Sequence, residues 1–243
     1  MNLMLRIYGR VIYEFGLAEF RLKDLEKLLR DIPTKTPLPL VAYRMCKAGF
    51  FEKVARGRYR AVHPLTLALS WVNLKGMKRI KQRDYVPIIS LIVSRLFECL
   101  GRRLKSIVLY GSIARGKALP ESDIDLLVVA EGLPSSYSER VKWLRNILRG
   151  IEEFRIELWR SKGLYPLIDI IALTPEEAKV SHPIYLDMIE DAIILFDRGI
   201  IKEKLREVKE RLRALGARRV ETPSGGWYWE LKPDMELGEV VEI

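Results

Sequence analysis

The sequence predicts an α+β fold, in which a mixed sheet with helices on one face follows a smaller, mainly helical domain. Apolar runs of strand length alternate with helical segments over residues 85–196, and three amphipathic helices precede them. Strands that alternate with helices form a sheet that helices cover. The length of 243 residues allows two modest domains, each with its own hydrophobic core.

The composition excludes several classes of protein. Hydrophobic residues make up 49% of the chain and charged residues 30%, which is typical of a folded protein and not of a disordered one. No apolar run reaches the roughly 18 to 20 residues of a membrane span, and residues 1–16 lack the apolar centre of a signal peptide. We therefore expect a cytoplasmic protein without a membrane partner. Cys46 and Cys99 belong to no metal-binding motif, so we expect two buried free thiols.

Positive charge is concentrated in the N-terminal third of the chain. Residues 1–83 contain 18 lysines and arginines against 6 aspartates and glutamates, a net charge of +12, whereas the remainder carries a net charge of −2. A local excess of this size favours a polyanionic partner such as nucleic acid. A basic face that serves only solubility is the alternative.

The basic region has the pattern of three helices followed by a hairpin. Apolar residues recur at helical spacing in three segments, and two short segments with strand composition follow them. The predicted helices are residues 3–15, 21–30 and 38–48, and the predicted strands are 50–54 and 59–62. The tip of the hairpin reads Ala-Arg-Gly-Arg.

This order of elements resembles a winged helix-turn-helix domain, which we place at residues 1–75. The resemblance implies that the third helix enters a groove of a nucleic acid and that the wing contacts phosphates. The candidate contacts are Arg44, Lys47, Arg56, Arg58 and Arg60. Small winged domains also serve as dimerisation or protein-docking modules, so both uses stay open.

The remaining elements predict a catalytic domain over residues 84–200 and a C-terminal extension over residues 201–243. Residues 75–83 read as a polar, basic boundary. The predicted strands are 106–110, 124–129, 167–173 and 192–196. The predicted helices are 85–100, a single long helix at 139–159, 184–189 and 201–215. A hairpin around Gly225-Gly226 follows, and we expect the aromatic run at residues 227–229 to pack on the core.

A glycine-serine turn joins the first of these strands to a short helix. The missing side chain of Gly111 lets the backbone approach a phosphate, and the Ser112 hydroxyl and nearby N–H groups can bind it. Arg115 lies one helical turn further on and adds positive charge. The turn is therefore a candidate nucleotide-binding element.

Two aspartates open the next strand. Asp123 and Asp125 are separated by two positions, so on a strand both carboxylates project from the same face. Adjacent carboxylates repel each other unless cations neutralise them, and the apolar flanks make an unpaired charge more costly. Two divalent ions would satisfy both requirements. Mg²⁺ suits carboxylate oxygens best, with Mn²⁺ as the alternative ion.

Asp169 is the candidate third carboxylate. It lies at the centre of the apolar run Leu-Ile-Asp-Ile-Ile-Ala-Leu, where a lone charge is hard to explain as solvated surface. An ion pair with a buried arginine is the structural alternative. We do not expect a histidine to act as the base, because His63 belongs to the other domain and His182 lies in a Ser-His-Pro turn.

The order Gly-Ser-x-Ala-Arg-Gly, then Ser-Asp-Ile-Asp-Leu-Leu-Val, resembles the DNA polymerase β-like nucleotidyltransferase superfamily, above all its minimal stand-alone prokaryotic and archaeal members. The resemblance implies that Ser112 holds the β- and γ-phosphates and that Asp123 and Asp125 bind both metal ions. Asp169 would complete the metal site and polarise the acceptor hydroxyl.

The activity that this resemblance implies is transfer of a nucleoside monophosphate from a nucleoside triphosphate to a hydroxyl acceptor, with release of pyrophosphate. The acceptor is a nucleic acid or a protein, and the sequence does not name it. The alternative is a nucleic-acid-binding regulator or antitoxin-type protein. Such a protein would use the same fold to sense nucleotide or to dock a protein partner.

Overall fold

The computed structural model describes residues 3–30, 36–71, 75–222 and 226–232. The chain divides into two compact units, residues 1–73 and residues 74–243. None of the helices in these described ranges combines the length and the apolar character needed to cross a bilayer.

The described residues of the first unit form four helices and three short strands. The helices are α1 (Leu3–Phe15), α2 (Leu22–Leu28), α3 (Leu38–Lys47) and α4 (Pro64–Trp71). The strands are β1 (Phe20–Arg21), β2 (Phe51–Ala55) and β3 (Arg58–Ala61), which form an antiparallel sheet in the order β1-β3-β2. The predicted helices and hairpin are confirmed to within two residues, whereas β1 was not predicted because it is only two residues long.

Aromatic residues hold the core of the first unit together. Phe20 is 2% exposed and stacks edge-on against Phe51, with the ring centroids 5.1 Å apart. The Tyr8 hydroxyl donates a 2.7 Å hydrogen bond to the carbonyl oxygen of Val62, which ties α1 to the end of β3. The core of the first unit therefore depends on contacts between residues that are distant in sequence.

The second unit contains seven α-helices and six strands in its described part. The helices are α5 (Lys75–Arg79), α6 (Val86–Leu100), α7 (Gly111–Arg115), α8 (Tyr137–Ile147), α9 (Ile151–Lys162), α10 (Ile184–Met188) and α11 (Ile200–Ala214). The strands are β4 (Leu104–Tyr110), β5 (Ile124–Ala130), β6 (Ile168–Leu173), β7 (Ile193–Asp197), β8 (Arg218–Glu221) and β9 (Trp227–Glu230).

Four of these strands form the central sheet, in the order β6-β5-β4-β7. The pair β5–β6 is parallel, and β4 pairs antiparallel with both β5 and β7. The prediction of a mixed sheet is therefore confirmed. The strands β8 and β9 form a separate hairpin, so the expected hairpin exists although residues 223–225 at its tip lie outside the described ranges.

Helices cover both faces of the central sheet, so the prediction of helices on one face is wrong. Val108 and Leu127 pack in a cluster with residues of α10 and α11. On the opposite face, Phe97 of α6 contacts Phe196 of β7 edge-on at 4.8 Å, and Phe196 is paired with Ile107. The apolar residues of β4 and β5 run almost without interruption, which is typical of strands buried on both faces.

The segment predicted as one long helix at residues 139–159 forms two helices, α8 and α9. The chain turns at Gly150, whose φ of +89° is accessible to glycine at little cost. Ser136 caps α8 by accepting a hydrogen bond from the N–H of Glu139 at 3.3 Å. Because the apolar periodicity continues across Gly150, this single glycine did not reveal the break between α8 and α9 in the sequence.

The cysteines and the C-terminal aromatics are only partly as predicted. Both cysteines are free, but Cys99 is exposed and Cys46 is half-buried, so the expectation of buried thiols is wrong for Cys99. Trp229 packs against the cluster formed by α10, α11 and the sheet, and its indole N–H donates to the carbonyl oxygen of Leu186 at 3.2 Å. Packing is thus confirmed for Trp229, whereas Tyr228 is exposed.

The short helix α5 covers the outer edge of β7, although residues 75–83 were predicted only as a boundary. An added Cβ at Gly76 would lie 2.3 Å from the carbonyl oxygen of Ile194 and 3.0 Å from the Cα of Leu195. Only a residue without a side chain allows this approach. The helix therefore shields one of the two edges of the central sheet.

The close contact at Gly76 predicts that Gly76→Ala destabilises the protein. The new methyl group must push α5 away from the backbone of β7, and such overpacking costs about 1–3 kcal/mol. Denaturant unfolding of the full chain measures the change. The matched control is Gly9→Ala in α1, where nothing lies within 4 Å of an added Cβ. A variant as stable as this control would contradict the tight packing of α5.

Candidate active site

The glycine-serine turn follows β4 and forms the start of α7, directly beside the neighbouring strand β5. Gly111 has a φ of +72°, and an added Cβ would lie 1.9 Å from Oδ2 of Asp125. A side chain at this position would occupy the place of the carboxylate. The turn therefore requires glycine both for its backbone conformation and for the approach of Asp125.

Strand register brings the carboxylates together. Asp125 pairs with Tyr110 on one side and with Asp169 on the other, because β5 lies between β4 and β6. Asp123 lies two residues before Asp125, immediately outside β5. Asp125 and Leu127 are two residues apart on β5, so their side chains project from the same face of the sheet. Leu127 packs in the cluster with α10 and α11, and the carboxylates therefore lie on the face that carries these helices.

The electrostatics of the cluster are unfavourable without a counter-charge. Burial and then the charges of Asp169 and Asp123 raise the pKa of Asp125 from 3.8 to about 6, and the Arg115 guanidinium partly opposes this shift. Burial and the charge of Asp125 also raise the pKa of the Tyr110 hydroxyl well above its usual value. The structure thus places Arg115 within electrostatic reach of the predicted site.

Asp187 contributes to the same negative field and was missed by the sequence analysis. Its charge raises the pKa values of both Asp125 and Tyr110. It lies in the five-residue helix α10, far along the chain from the motif. The only sequence signal was a single acidic residue between apolar ones, and this pattern is common on ordinary surface helices.

Asp169 is exposed, so its prediction as a buried charge is wrong. The strand β6 is an edge strand of the central sheet, and its residues are less buried than those of β4 and β5. Within the described ranges Asp169 forms no ion pair, which also removes the alternative of a buried arginine partner. Asp169 belongs to the candidate site because it pairs with Asp125 on the adjacent strand, not because it is buried.

Two residues that precede α6, Gln82 and Tyr85, hold the loop between the glycine-serine turn and the aspartates in place. The Gln82 side chain donates to the carbonyl oxygen of Ala118 at 2.8 Å and accepts from the N–H of the same residue at 2.9 Å. The Tyr85 hydroxyl donates to the carbonyl oxygen of Leu119 at 2.8 Å. These contacts fix the path of the chain from the turn to Asp123.

The donor set fits a magnesium ion that shares its coordination with a ligand. In the described part of the chain, no three His, Cys, Asp or Glu side chains are grouped closely enough to hold a metal ion by themselves. Mg²⁺ is ordinarily bound through one or two carboxylates, with waters and substrate phosphates as further ligands. Asp123, Asp125 and Asp169 offer only carboxylate oxygens, and the raised pKa of Asp125 indicates a place where positive charge is favourable.

The structure separates the predicted nucleic-acid contacts into two groups. Arg44, Lys47 and Arg56 are exposed, and Arg58 is half-exposed with an ion pair to Glu19 at 3.1 Å. Arg60 is only 8% exposed and pairs with Glu52 across the hairpin at 3.5 Å. Its prediction as a phosphate contact is therefore wrong, because its side chain is used inside the first unit.

A family model described as a nucleotidyltransferase domain matches residues 87–220, which is more than half of the chain. The chain belongs to this family. The match begins within α6 and extends to β8, so it includes the glycine-serine turn, the three carboxylates and α11.

Among curated proteins, a relative from Methanocaldococcus jannaschii, provisionally named a protein adenylyltransferase, is 52% identical over 48 residues. The match covers 20% of this chain and 33% of the relative, so the chain aligns with about a third of the relative's length.

Solved structures show weaker similarity. A mutant of the toxin–antitoxin MntA–HpeT has 14% identity and a TM-score of 0.35, over 51% of this chain and 86% of that one. A toxin–antitoxin solved with AMP-PNP has 14% identity and a TM-score of 0.33, over 51% and 89%. A provisionally described nucleotidyltransferase from Sulfolobus solfataricus has 21% identity and a TM-score of 0.30, over 51% and 86%.

The contact between Gly111 and Asp125 predicts that Gly111→Ala is more damaging than ordinary backbone strain. A non-glycine residue at positive φ costs on the order of 1 kcal/mol, and the clash with the carboxylate adds to it. The matched control is Gly163→Ala, which has a φ of +70° but nothing within 4 Å of an added Cβ. Thermal unfolding and nucleotide-binding titrations of both variants compare the two costs. Equal losses would show that the approach of Asp125 is unimportant.

The raised pKa of Asp125 predicts that Asp125→Asn stabilises the metal-free protein at neutral pH. The folded-state value of about 6 lies above the unfolded value of 3.8, so ionised Asp125 opposes folding above pH 6. The expected gain is on the order of 1 kcal/mol after discounting the shift for a half-exposed side chain. Melting in a chelator at neutral pH and near pH 4 measures it. The gain should vanish at the lower pH, and a lower melting temperature at neutral pH would contradict the repulsion.

Proposed function

We propose that this chain transfers a nucleoside monophosphate from a nucleoside triphosphate to a hydroxyl acceptor. The observation that carries the proposal is the convergence of the Gly111 turn with Asp125, which lies in register with Asp169. A phosphate-binding turn beside clustered carboxylates suits phosphoryl transfer better than simple nucleotide binding, since binding alone gains nothing from three repelling charges. Membership in the nucleotidyltransferase domain family supports the same reaction.

In the proposed reaction, an oxygen of the acceptor hydroxyl attacks the α-phosphorus of the nucleotide. The bond between the α-phosphorus and the bridging oxygen to the β-phosphate breaks, and pyrophosphate leaves. The acceptor oxygen loses its proton as the new bond forms. The products are a phosphodiester-linked nucleotide, pyrophosphate and a proton, so charge and atoms balance without another reactant.

The chain's own residues bind and orient the two reactants. Gly111 and Ser112 are proposed to bind the β- and γ-phosphates, and Arg115 supplies positive charge nearby. Asp169 would accept a hydrogen bond from the attacking hydroxyl and aim it at the phosphorus. Asp123 and Asp125, with Asp169, would hold two Mg²⁺ ions, which neutralise phosphate charge and promote loss of the hydroxyl proton when bound.

The donor and the acceptor are proposed from the relative in Methanocaldococcus jannaschii. Its provisional name, protein adenylyltransferase, supports ATP as the donor and a protein hydroxyl as the acceptor. The side chains of serine, threonine and tyrosine carry the hydroxyl that such a reaction needs. The proposed product is therefore an adenylylated protein.

A nucleic-acid partner for the first unit is a second proposal. We propose that residues 1–75 act as a winged helix-turn-helix module that binds DNA or RNA through Arg44, Lys47, Arg56 and Arg58. The exposure of these side chains and the net charge of +12 over residues 1–83 support it. In that case the module would bring the catalytic unit to a nucleic acid, or the chain would act as a regulator.

Transfer of label tests the proposed activity. The full chain is incubated with Mg²⁺, ATP labelled at the α-phosphate, and an archaeal or bacterial lysate, tRNA or DNA as acceptor. We expect label in protein, with pyrophosphate released in equal amount. Asp125→Ala should lower transfer by about a hundredfold or more, because it removes charge stabilisation in the transition state.

The matched control is Glu210→Ala, which removes an exposed carboxylate from α11 and should keep full activity. Label in tRNA or DNA in place of protein would move the acceptor to nucleic acid. Tight ATP binding with no transfer to any acceptor would instead support the regulator.

A further inference from the structure

The two edges of the central sheet differ in what covers them. The outer edge of β7 is covered by α5, which packs through Gly76 directly on the strand backbone. Among the strands of the described ranges, none pairs with the outer edge of β6. An unpaired strand edge presents N–H and C=O groups that can pair with another extended chain. The β6 edge is also the one that carries Asp169.

The direction of the β6 backbone groups follows from the hydrogen bonds at its two ends and from strand alternation. The carbonyl oxygen of Leu167 accepts from Ile124 at 2.8 Å, so Leu167 and every second residue after it direct their backbone groups toward β5. The alternate residues direct theirs outward. Outward carbonyls are confirmed at both ends of the strand, because arginines bind them there.

Those arginines occupy the two ends of the edge. Arg155 donates to the carbonyl oxygen of Pro166 at 2.8 Å, and Arg140 donates to the carbonyl oxygen of Ala172 at 3.0 Å. Glu177 binds Arg140 through two further hydrogen bonds of 2.7 and 2.8 Å, which hold it in place. Strand addition along the whole of β6 is therefore blocked.

The middle of the strand is left open. The outward N–H and C=O groups of Ile168 and Ile170 have no hydrogen-bond partner within the described ranges. We call these four groups the open edge. It is long enough for about three residues of an added strand, since the arginines end it on either side. Asp169 lies at its centre.

The surface beside the open edge is apolar and acidic. Leu167 lies two residues before Asp169, so its side chain shares the same face of β6, and it is 58% exposed. The loop that joins α7 to β5 contacts the segment that leads into β6, because the N–H of Tyr165 donates to the carbonyl oxygen of Pro120 at 3.4 Å. The same loop carries Leu119, which is 60% exposed, and the exposed carboxylate of Glu121. These side chains suit an apolar peptide residue better than the negatively charged backbone of a nucleic acid.

We propose that the acceptor is an extended protein segment that pairs with the open edge of β6. Its serine, threonine or tyrosine lies opposite Asp169, and an apolar residue two positions away packs on Leu167. This inference rests on the proposed function, since it assigns the acceptor of that reaction. Paired residues on adjacent strands project their side chains from the same face, so the hydroxyl is delivered to the face that carries Asp125.

The step at this position balances as the general reaction does. The side-chain oxygen of the acceptor forms a bond to the α-phosphorus of ATP, and the bond from that phosphorus to the bridging oxygen of the β-phosphate breaks. The segment leaves as an O-adenylyl peptide, with pyrophosphate and one proton as the other products. Backbone pairing holds the hydroxyl in place, which lowers the entropy cost of the attack.

A synthetic peptide tests the backbone pairing. The probe has seven residues, with a central serine, threonine or tyrosine and leucines two positions to either side. We expect the full chain to adenylylate it. N-methylation at the central residue and its two neighbours should reduce transfer by about tenfold or more, because it removes backbone donors that pair with the edge. N-methylation at the first and last residues should have little effect.

An enzyme variant tests the apolar contact. Leu167→Ser should raise the KM for the peptide by about threefold or more, with kcat nearly unchanged, because it removes binding common to substrate and transition state. The matched control is Val180→Ser, which removes an aliphatic side chain that is 64% exposed and lies outside β6. Peptide transfer that is indifferent to N-methylation and to Leu167→Ser overturns the inference.

Hydrolysis of ATP to AMP and pyrophosphate without peptide separates the two proposals. Water then replaces the acceptor, and this reaction should be the same in wild type and Leu167→Ser. Hydrolysis without transfer to any of the peptides overturns the edge proposal and leaves the proposed function standing. Transfer to single-stranded RNA that Leu167→Ser does not alter also overturns it. Loss of both reactions in wild type overturns the proposed function and the inference together.

Discussion

The sheet holds three carboxylates close together although they repel one another, and the candidate site depends on this constraint. Register places Asp125 beside Asp169, the chain places Asp123 two residues away, and Gly111 allows the carboxylate of Asp125 to approach the turn. The folded protein therefore maintains a concentration of negative charge that an unfolded chain would disperse. Such an arrangement is favourable only when positive charge is brought to it, and a nucleotide with its cations brings that charge.

The rest of the second unit can be understood as support for this geometry. Strands β4 and β5 are buried on both faces, so a slip of one residue would turn every side chain to the opposite face, where it would have to pack against different helices. Strand β6 is fixed by its parallel pairing with β5 and by Arg140 and Arg155 at its two ends. The buried strands β4 and β5 position the Gly111 turn and Asp125 precisely. The partly open strand β6 leaves Asp169 accessible to a substrate.

The sequence predicted what depends on local pattern and missed what depends on tertiary placement. The Gly111 turn and the spacing of the two aspartates are local features, and so are most helix and strand bounds. The exposure of Asp169 depends on the order of strands in the sheet, which apolar content does not reveal. The burial of Arg60 depends on a partner across the hairpin, and the role of α5 depends on a backbone contact with a strand more than a hundred residues later.

The support of the loop by Gln82 has a chemical consequence for the ageing of the protein. Gln82 is the single glutamine of the chain, and its amide both donates to and accepts from Ala118. Deamidation would turn that amide into a carboxylate, which has no hydrogen to donate at neutral pH. The carbonyl oxygen of Ala118 would then face a negative charge, and the loop that leads to Asp123 would lose one of the three hydrogen bonds that Gln82 and Tyr85 form with it. A single hydrolysed amide could thus inactivate a molecule whose core is still folded, so catalytic lifetime at high temperature need not follow global stability.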